Sequence, residues 1–136
     1  MDLISQLQRD EGFRGRPYLD SEGHMTIGYG RNLDANPLTL AEGLYLLKGD
    51  IDQAERGVMV ALPWVESLDA VRGAVLVNMA FNCGIAGLLT FKKMLTAIEL
   101  GEYSKAAEQL LDSKYAKQVG GRAVRLAKQL ETGEWQ

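Results

Sequence analysis

Two carboxylates and a hydroxyl near the start of the chain have the types and the order needed for acid–base work on a sugar bond. Eight residues separate Glu11 from Asp20, and five separate Asp20 from Thr26. Cleaving a glycosidic bond takes one carboxylic acid that gives a proton to the departing oxygen. It takes a second, ionised one that activates water or attacks the sugar carbon. Taken alone, the pattern stays open. The chain scatters 18 acids over 136 residues. Glu11 also reads as a solvated helix end, Asp20 as a turn former and Thr26 as an ordinary strand residue.

The elements that must position these groups are legible from periodicity. Leu3, Ile4 and Leu7 fall at helical spacing behind Asp2 as N-cap, which predicts a helix over 3–10 with Gly12 just beyond it. From Arg16 to Gly30 the period changes to strand, turn, strand, with Asp20 to Gly23 as the turn and Met25, Ile27 and Tyr29 alternating with polar or small neighbours. Gly28 and Gly30 imply close backbone packing or a bulge, and 32–37 reads as a loop. Thr39 and Glu42 form a capping box. Behind it an apolar stripe runs from Leu40 through Val58, a helix long enough to connect two lobes. Val71, Val75, Leu76, Met79 and Phe81 mark an almost wholly apolar helix closed by Gly84, expected at the centre of the second lobe. Further helices are expected over 91–100, 102–112 and 122–131, with Gly101 and Gly133 as C-terminal caps. The expected architecture is α+β: a hairpin lobe with the long helix over 1–59 and a helical lobe over 60–136, with the ligand in a cleft between them.

Composition removes other classes. A net charge of -3 argues against a generic nucleic-acid binder. One cysteine, Cys83, excludes an intrachain disulfide, and one histidine, His24, leaves no obvious metal site. Cys83 reads as a small apolar residue and His24 as a surface strand residue. No uninterrupted apolar run of membrane-spanning length occurs, and the first residues lack a signal-peptide core, so cytoplasmic synthesis without stable membrane insertion is expected. Lys114, Lys117, Arg122, Arg125 and Lys128 fall in a stretch without an acid. A solvated helical face and a surface for an anionic polymer both fit that pattern.

The string from Asp10 to Gly30 closely resembles the signature of the bacteriophage lysozymes, glycoside hydrolase family 24. Glu11, Asp20 and Thr26 match its spacing, as do the Glu-Gly after the first helix and the Thr-Ile-Gly-x-Gly after the turn. The likeness continues through Ser67 to Arg72, Asn78 to Gly84, Gly121 to Ala123 and Thr132 to Trp135. It implies an endolysin-type muramidase that hydrolyses the β-1,4 bond between N-acetylmuramic acid and N-acetylglucosamine in bacterial peptidoglycan without metal or cofactor. By the same resemblance Glu11 is the general acid, and Asp20 with Thr26 holds the attacking water. Inversion would need carboxyls roughly 6.5–9.5 Å apart. Asn32, Phe81, Phe91 and Gln109 match sugar-lining positions, Asn82 stands beside Phe81, and Arg122 matches an arginine expected near the acid. A monomer that reaches the wall through a holin lesion follows from the same likeness.

Two departures stand out. The loop from Leu33 to Thr39 is short, which implies a lower wall on one side of the site. Arg31 stands where several relatives have histidine, and its expected partner is Asp50 on the long helix. Two other classes share parts of the pattern. A glycan-binding module of the same fold would not need all three of Glu11, Asp20 and Thr26. A lytic transglycosylase commonly works with a single acid.

Overall fold

The computed structural model describes residues 2–136. The chain divides into two compact units, Met1–Leu46 and Leu47–Gln136, and the division falls inside a long helix.

The first unit opens with α1 (Leu3–Glu11), started by the Asp2 carboxylate accepting from the Ser5 amide at 2.8 Å. Gly12 ends it at φ +68, donating its amide to Gln8 O. A three-stranded antiparallel sheet follows: β1 (Arg14–Leu19), β2 (Met25–Gly28) and β3 (Arg31–Asn32), in chain order. Thr26 sits opposite Tyr18 on one side and Asn32 on the other. The register of β1 is irregular between Arg14 and Tyr18, so the first strand starts two residues before its alternation does. β3 lies at the start of the expected loop. Two residues carry no readable period.

Helix α2 (Leu40–Ala61) begins at the expected capping box: Glu42 N donates to Thr39 Oγ1 at 3.1 Å, and Thr39 N to Glu42 Oε1 at 2.9 Å. The same Glu42 takes the guanidinium of Arg31 in a two-pronged pair, Nη1–Oε2 2.6 Å and Nη2–Oε1 2.9 Å. Arg31 also donates to the carbonyls of Asn36 and Pro37. The pair expected with Asp50 is therefore replaced by one with Glu42. The capping box turns that carboxylate back over the helix start, and the short loop leads Arg31 to it.

In the second unit a 3-10 turn (Pro63–Ser67) leads to α3 (Ala70–Leu89), α4 (Lys92–Glu99), α5 (Tyr103–Leu111), α6 (Lys114–Val119) and α7 (Gly121–Thr132). α3 passes as a membrane span by length and average composition, although no uninterrupted apolar run announces one. Its Val75, Leu76, Met79 and Leu88 are fully buried, so it is the core helix that its sequence predicts. Gly84 breaks it with non-helical angles (φ 75, ψ 165), and helical residues resume beyond, to Leu89. Met94, Ile98, Leu110 and Leu130 complete the core from α4, α5 and α7. Helix α6 falls outside the predicted elements. At six residues it is too short to show a stripe, and Ser113 starts it by accepting from the Ala116 amide. Gly101 and Gly133 hold the positive φ expected of caps.

Candidate active site

Glu11 is the last residue of α1, placed where the helix stops at Gly12. Its carboxyl lies against the backbone of Gly30. A Cβ built there would stand 3.0 Å from Glu11 Cδ and closer still to Oε2, and Gly30 already has φ +68. The close approach read from Gly30 is thus an approach by Glu11.

Asp20 follows the last residue of β1 and makes the hairpin turn. Its Oδ1 accepts from the amides of Glu22 (2.9 Å) and His24 (2.8 Å), and its own amide donates to His24 O at 2.9 Å. The His24 amide is the main cause that holds Asp20 below its usual carboxylate range, helped by the Glu22 amide and the charge of the His24 ring and opposed by partial burial. Asp20 is therefore ionised wherever the protein is at neutral pH.

Thr26 is only 3% exposed, and its Oγ1 donates to His24 O at 2.9 Å. That bond uses its one proton. What remains on Thr26, as on Asp20, is acceptor capacity, which suits a water whose hydrogens must point away from its reactive lone pair. The backbone of His24 thus ties Asp20 and Thr26 into one hairpin lattice.

Asn32, on β3, accepts with Oδ1 from the amides of Asp34 and Ala35, which leaves its NH2 group as a donor. The other expected contacts belong to the second unit. Phe81, half exposed on α3, and Arg122 on α7 line one cavity of about 710 Å³ together with Asn78, Trp135 and apolar residues of α2 and α3. Arg122 is fixed there by Asn78, with Nη2–Oδ1 2.7 Å and Nε–Oδ1 3.0 Å. Gln109 lies instead in a separate depression with Lys92, Lys93 and Lys105. Phe91 packs edge-on against Tyr115 at 5.7 Å beside the core. Asn82 is exposed next to Phe81. The structure thus brings Phe81 and Arg122 together and sets Gln109 apart. Among the described residues no cluster of His, Cys, Asp and Glu is arranged for a metal. Cys83 donates to Met79 O, and burial pushes its thiol up, the opposite of what a nucleophile needs. Lys114, Lys117, Arg125 and Lys128 are all exposed.

Three features of the site lay outside the sequence reading: Asn78 as the anchor of Arg122, Glu11 as the occupant above Gly30, and His24 beside Asp20. The four-residue step from Asp20 to His24 across a tight turn was the available signal for the last.

The family model for phage lysozyme matches residues 8–130. The chain is 31% identical over 162 residues to the pre-baseplate central spike protein Gp5 of Enterobacteria phage T4, covering 98% of this chain and 28% of that protein. It is 30% identical over 160 residues to probable T4-type lysozyme 1 of Dictyostelium discoideum, covering 96% of this chain and 94% of the relative. Probable T4-type lysozyme 2 of the same organism is 29% identical over 165 residues, with the same coverage. The chain thus spans just over a quarter of the spike protein and nearly all of each Dictyostelium relative. With the family model matched over most of its length, the chain belongs to the phage lysozyme family.

Proposed function

We propose that the chain is a muramidase that hydrolyses the β-1,4 bond between N-acetylmuramic acid and N-acetylglucosamine of peptidoglycan with inversion. The observation that carries this reading is the pairing of an ionised Asp20 with a Thr26 hydroxyl whose proton is already given away. Both groups then offer only lone pairs, so a water between them presents its own lone pair to the anomeric carbon. In the step itself, the water oxygen bonds that carbon while Asp20 takes the water's proton. The electrons of the broken C–O bond pass to the leaving oxygen, which takes the proton of Glu11. Glu11 and Asp20 carry both protons, so the reaction calls for no cofactor. Asn32 in the first unit, and Phe81, Asn82 and Arg122 in the second, are the proposed sugar contacts.

The proposed role is that of an endolysin. It would accumulate as a monomer in the host cytoplasm and reach the wall through a holin lesion. The resemblance over nearly the full length of two lysozymes supports the glycosidase activity on which this role rests. The test is digestion of purified peptidoglycan with product analysis by mass spectrometry and proton NMR. A reducing N-acetylmuramic acid end released first as the inverted anomer is expected. An anhydro sugar would make the chain a transglycosylase, and intact glycan that still binds the protein would make it a binding module.

A further inference from the structure

Oδ1 of Asp20 is committed to the turn, because two backbone amides donate to it. Oδ2 is the oxygen left for a water. The ring of His24 lies beside that oxygen, with Nδ1 3.5 Å from Asp20 Oδ2 and 3.7 Å from Glu22 Oε2. Among the described residues, these two carboxylates are the charged groups within ion-pair distance of the ring. The ring itself is 41% exposed and free to exchange protons with solvent.

We propose that His24 is a positioning residue whose charge gates Asp20: the imidazolium charge holds Oδ2 in an ion pair and closes the working oxygen, and loss of that charge loosens the hold. The proposal rests on the reading of Asp20 as the group that takes the water's proton. An imidazole changes charge between the acid and neutral ranges, where a carboxylate held as low as Asp20 does not. The acid limb of the reaction then follows His24 and not Asp20. The main-chain bonds from His24 to Asp20 and Thr26 persist whatever the side chain. Side-chain substitution therefore tests the gate and leaves the hairpin lattice in place.

The experiment is the pH dependence of kcat/KM on purified peptidoglycan, between about pH 4 and 9 so that carboxylate and imidazole ranges are both covered. Wild type, His24→Gln and His24→Lys are compared. Each profile is normalised to its own plateau. On the acid limb the Gln variant is expected to keep on the order of tenfold more of its plateau rate than wild type keeps, one decade per unit of displaced titration. The Lys variant, with a fixed cation, is expected to be slower than the Gln variant across the neutral range. Superimposable normalised profiles of wild type and His24→Gln overturn the gate, as do equal neutral rates of the Gln and Lys variants.

A second measurement needs no variant. His24 is the one histidine of the chain, so the carbon-13 carboxyl resonance of Asp20 must move as that single ring titrates. A resonance that stays still through that titration overturns the proposal. Asp20→Asn separates the two levels of failure. If it hydrolyses glycan at the wild-type rate, the catalytic reading itself falls. If it is inactive while the His24 profiles coincide, only the gate falls.

Discussion

The carboxyl of Glu11 rests on the backbone of Gly30, and no side chain fits between them. Gly30 is needed twice, for its positive φ and for the space that the missing Cβ leaves. Gly28 has nearly the same φ, +69, but open space around it. The pair makes an internal control. Both Gly28→Ala and Gly30→Ala should lower Tm, because each puts a Cβ into left-handed backbone. Gly30→Ala alone should also displace the acid and cut kcat on the order of 10²-fold, the scale of a misplacement of about 1 Å. Equal activity losses in the two variants would show that Glu11 does not depend on that space.

Glu11→Gln and Asp20→Asn should each reduce hydrolysis on the order of 10²–10⁴-fold, the range for a lost acid or base. Neither change should cost much stability. An Asn at position 20 keeps an oxygen that can accept from the Glu22 and His24 amides, so circular dichroism melting should be nearly unchanged. An Asp20→Asn protein that melts far below wild type would place the role of this carboxylate in the turn and not in the chemistry.

The placement of Glu11, Asp20 and Thr26 was legible because one helix end and one hairpin carry all three. The long helix and the core helix were legible because each carries a stripe longer than two turns. What the sequence hid was short or depended on direction. Helix α6 offers six residues and one buried Tyr115, too little for a period. Arg31 could have met several acids, and spacing alone does not say where a carboxylate points. Only the capping-box geometry turns Glu42 towards it. His24, expected as a surface strand residue, lies part-buried just before β2, and on that strand Thr26 is buried while Met25 is exposed, the reverse of the alternation read from the sequence. The approach of His24 to Asp20 comes from the tightness of the turn, which alternation does not encode.

The Arg31–Glu42 pair makes a pH prediction with a definite sign. The Thr39 amide is the main cause holding Glu42 below its usual range, with Arg31 adding to it. A carboxylate whose folded value is lowered contributes stability above its unfolded value, and that contribution is lost as pH falls through the folded value. Glu42→Gln should therefore lower Tm by its full amount at neutral pH, with the gap closing below about pH 4. Arginine does not titrate, so wild type should keep this contribution unchanged from mildly acid to neutral pH. Arg31→His should lose stability as pH rises through the imidazole range. A Tm gap for Glu42→Gln that persists to strongly acid pH would show that its carboxylate charge is not what matters.

Arg72 holds the end of the chain to the core helix. Its Nε donates to Leu130 O at 2.6 Å and its Nη2 to Glu131 O at 3.0 Å. These belong to the last turn of α7, whose carbonyls have no partner within the helix. The guanidinium also lies 3.7 Å from the ring centre of Tyr103 and 3.2 Å from Asp69, which starts α3. One planar group thus ties α3, α5 and α7. Gly133 has the left-handed angles of a helix end, and a Cβ there would meet Arg72 Nη1 at 2.8 Å. Arg72→Ala should cost about 1.5–3 kcal/mol, as for hydrogen bonds to a charged donor. Lysine cannot fork to two carbonyls while stacking on a ring, so Arg72→Lys should recover less than half of that loss. Gly133→Ala should weaken the same staple from the other side. It should also couple to Arg72→Ala in a double-mutant cycle, since the two share one contact. Denaturant unfolding of wild type, the three single variants and the double variant decides it. Full recovery by lysine, or strict additivity of the two substitutions, would mean that the fork and its glycine seat do not hold α7 in place.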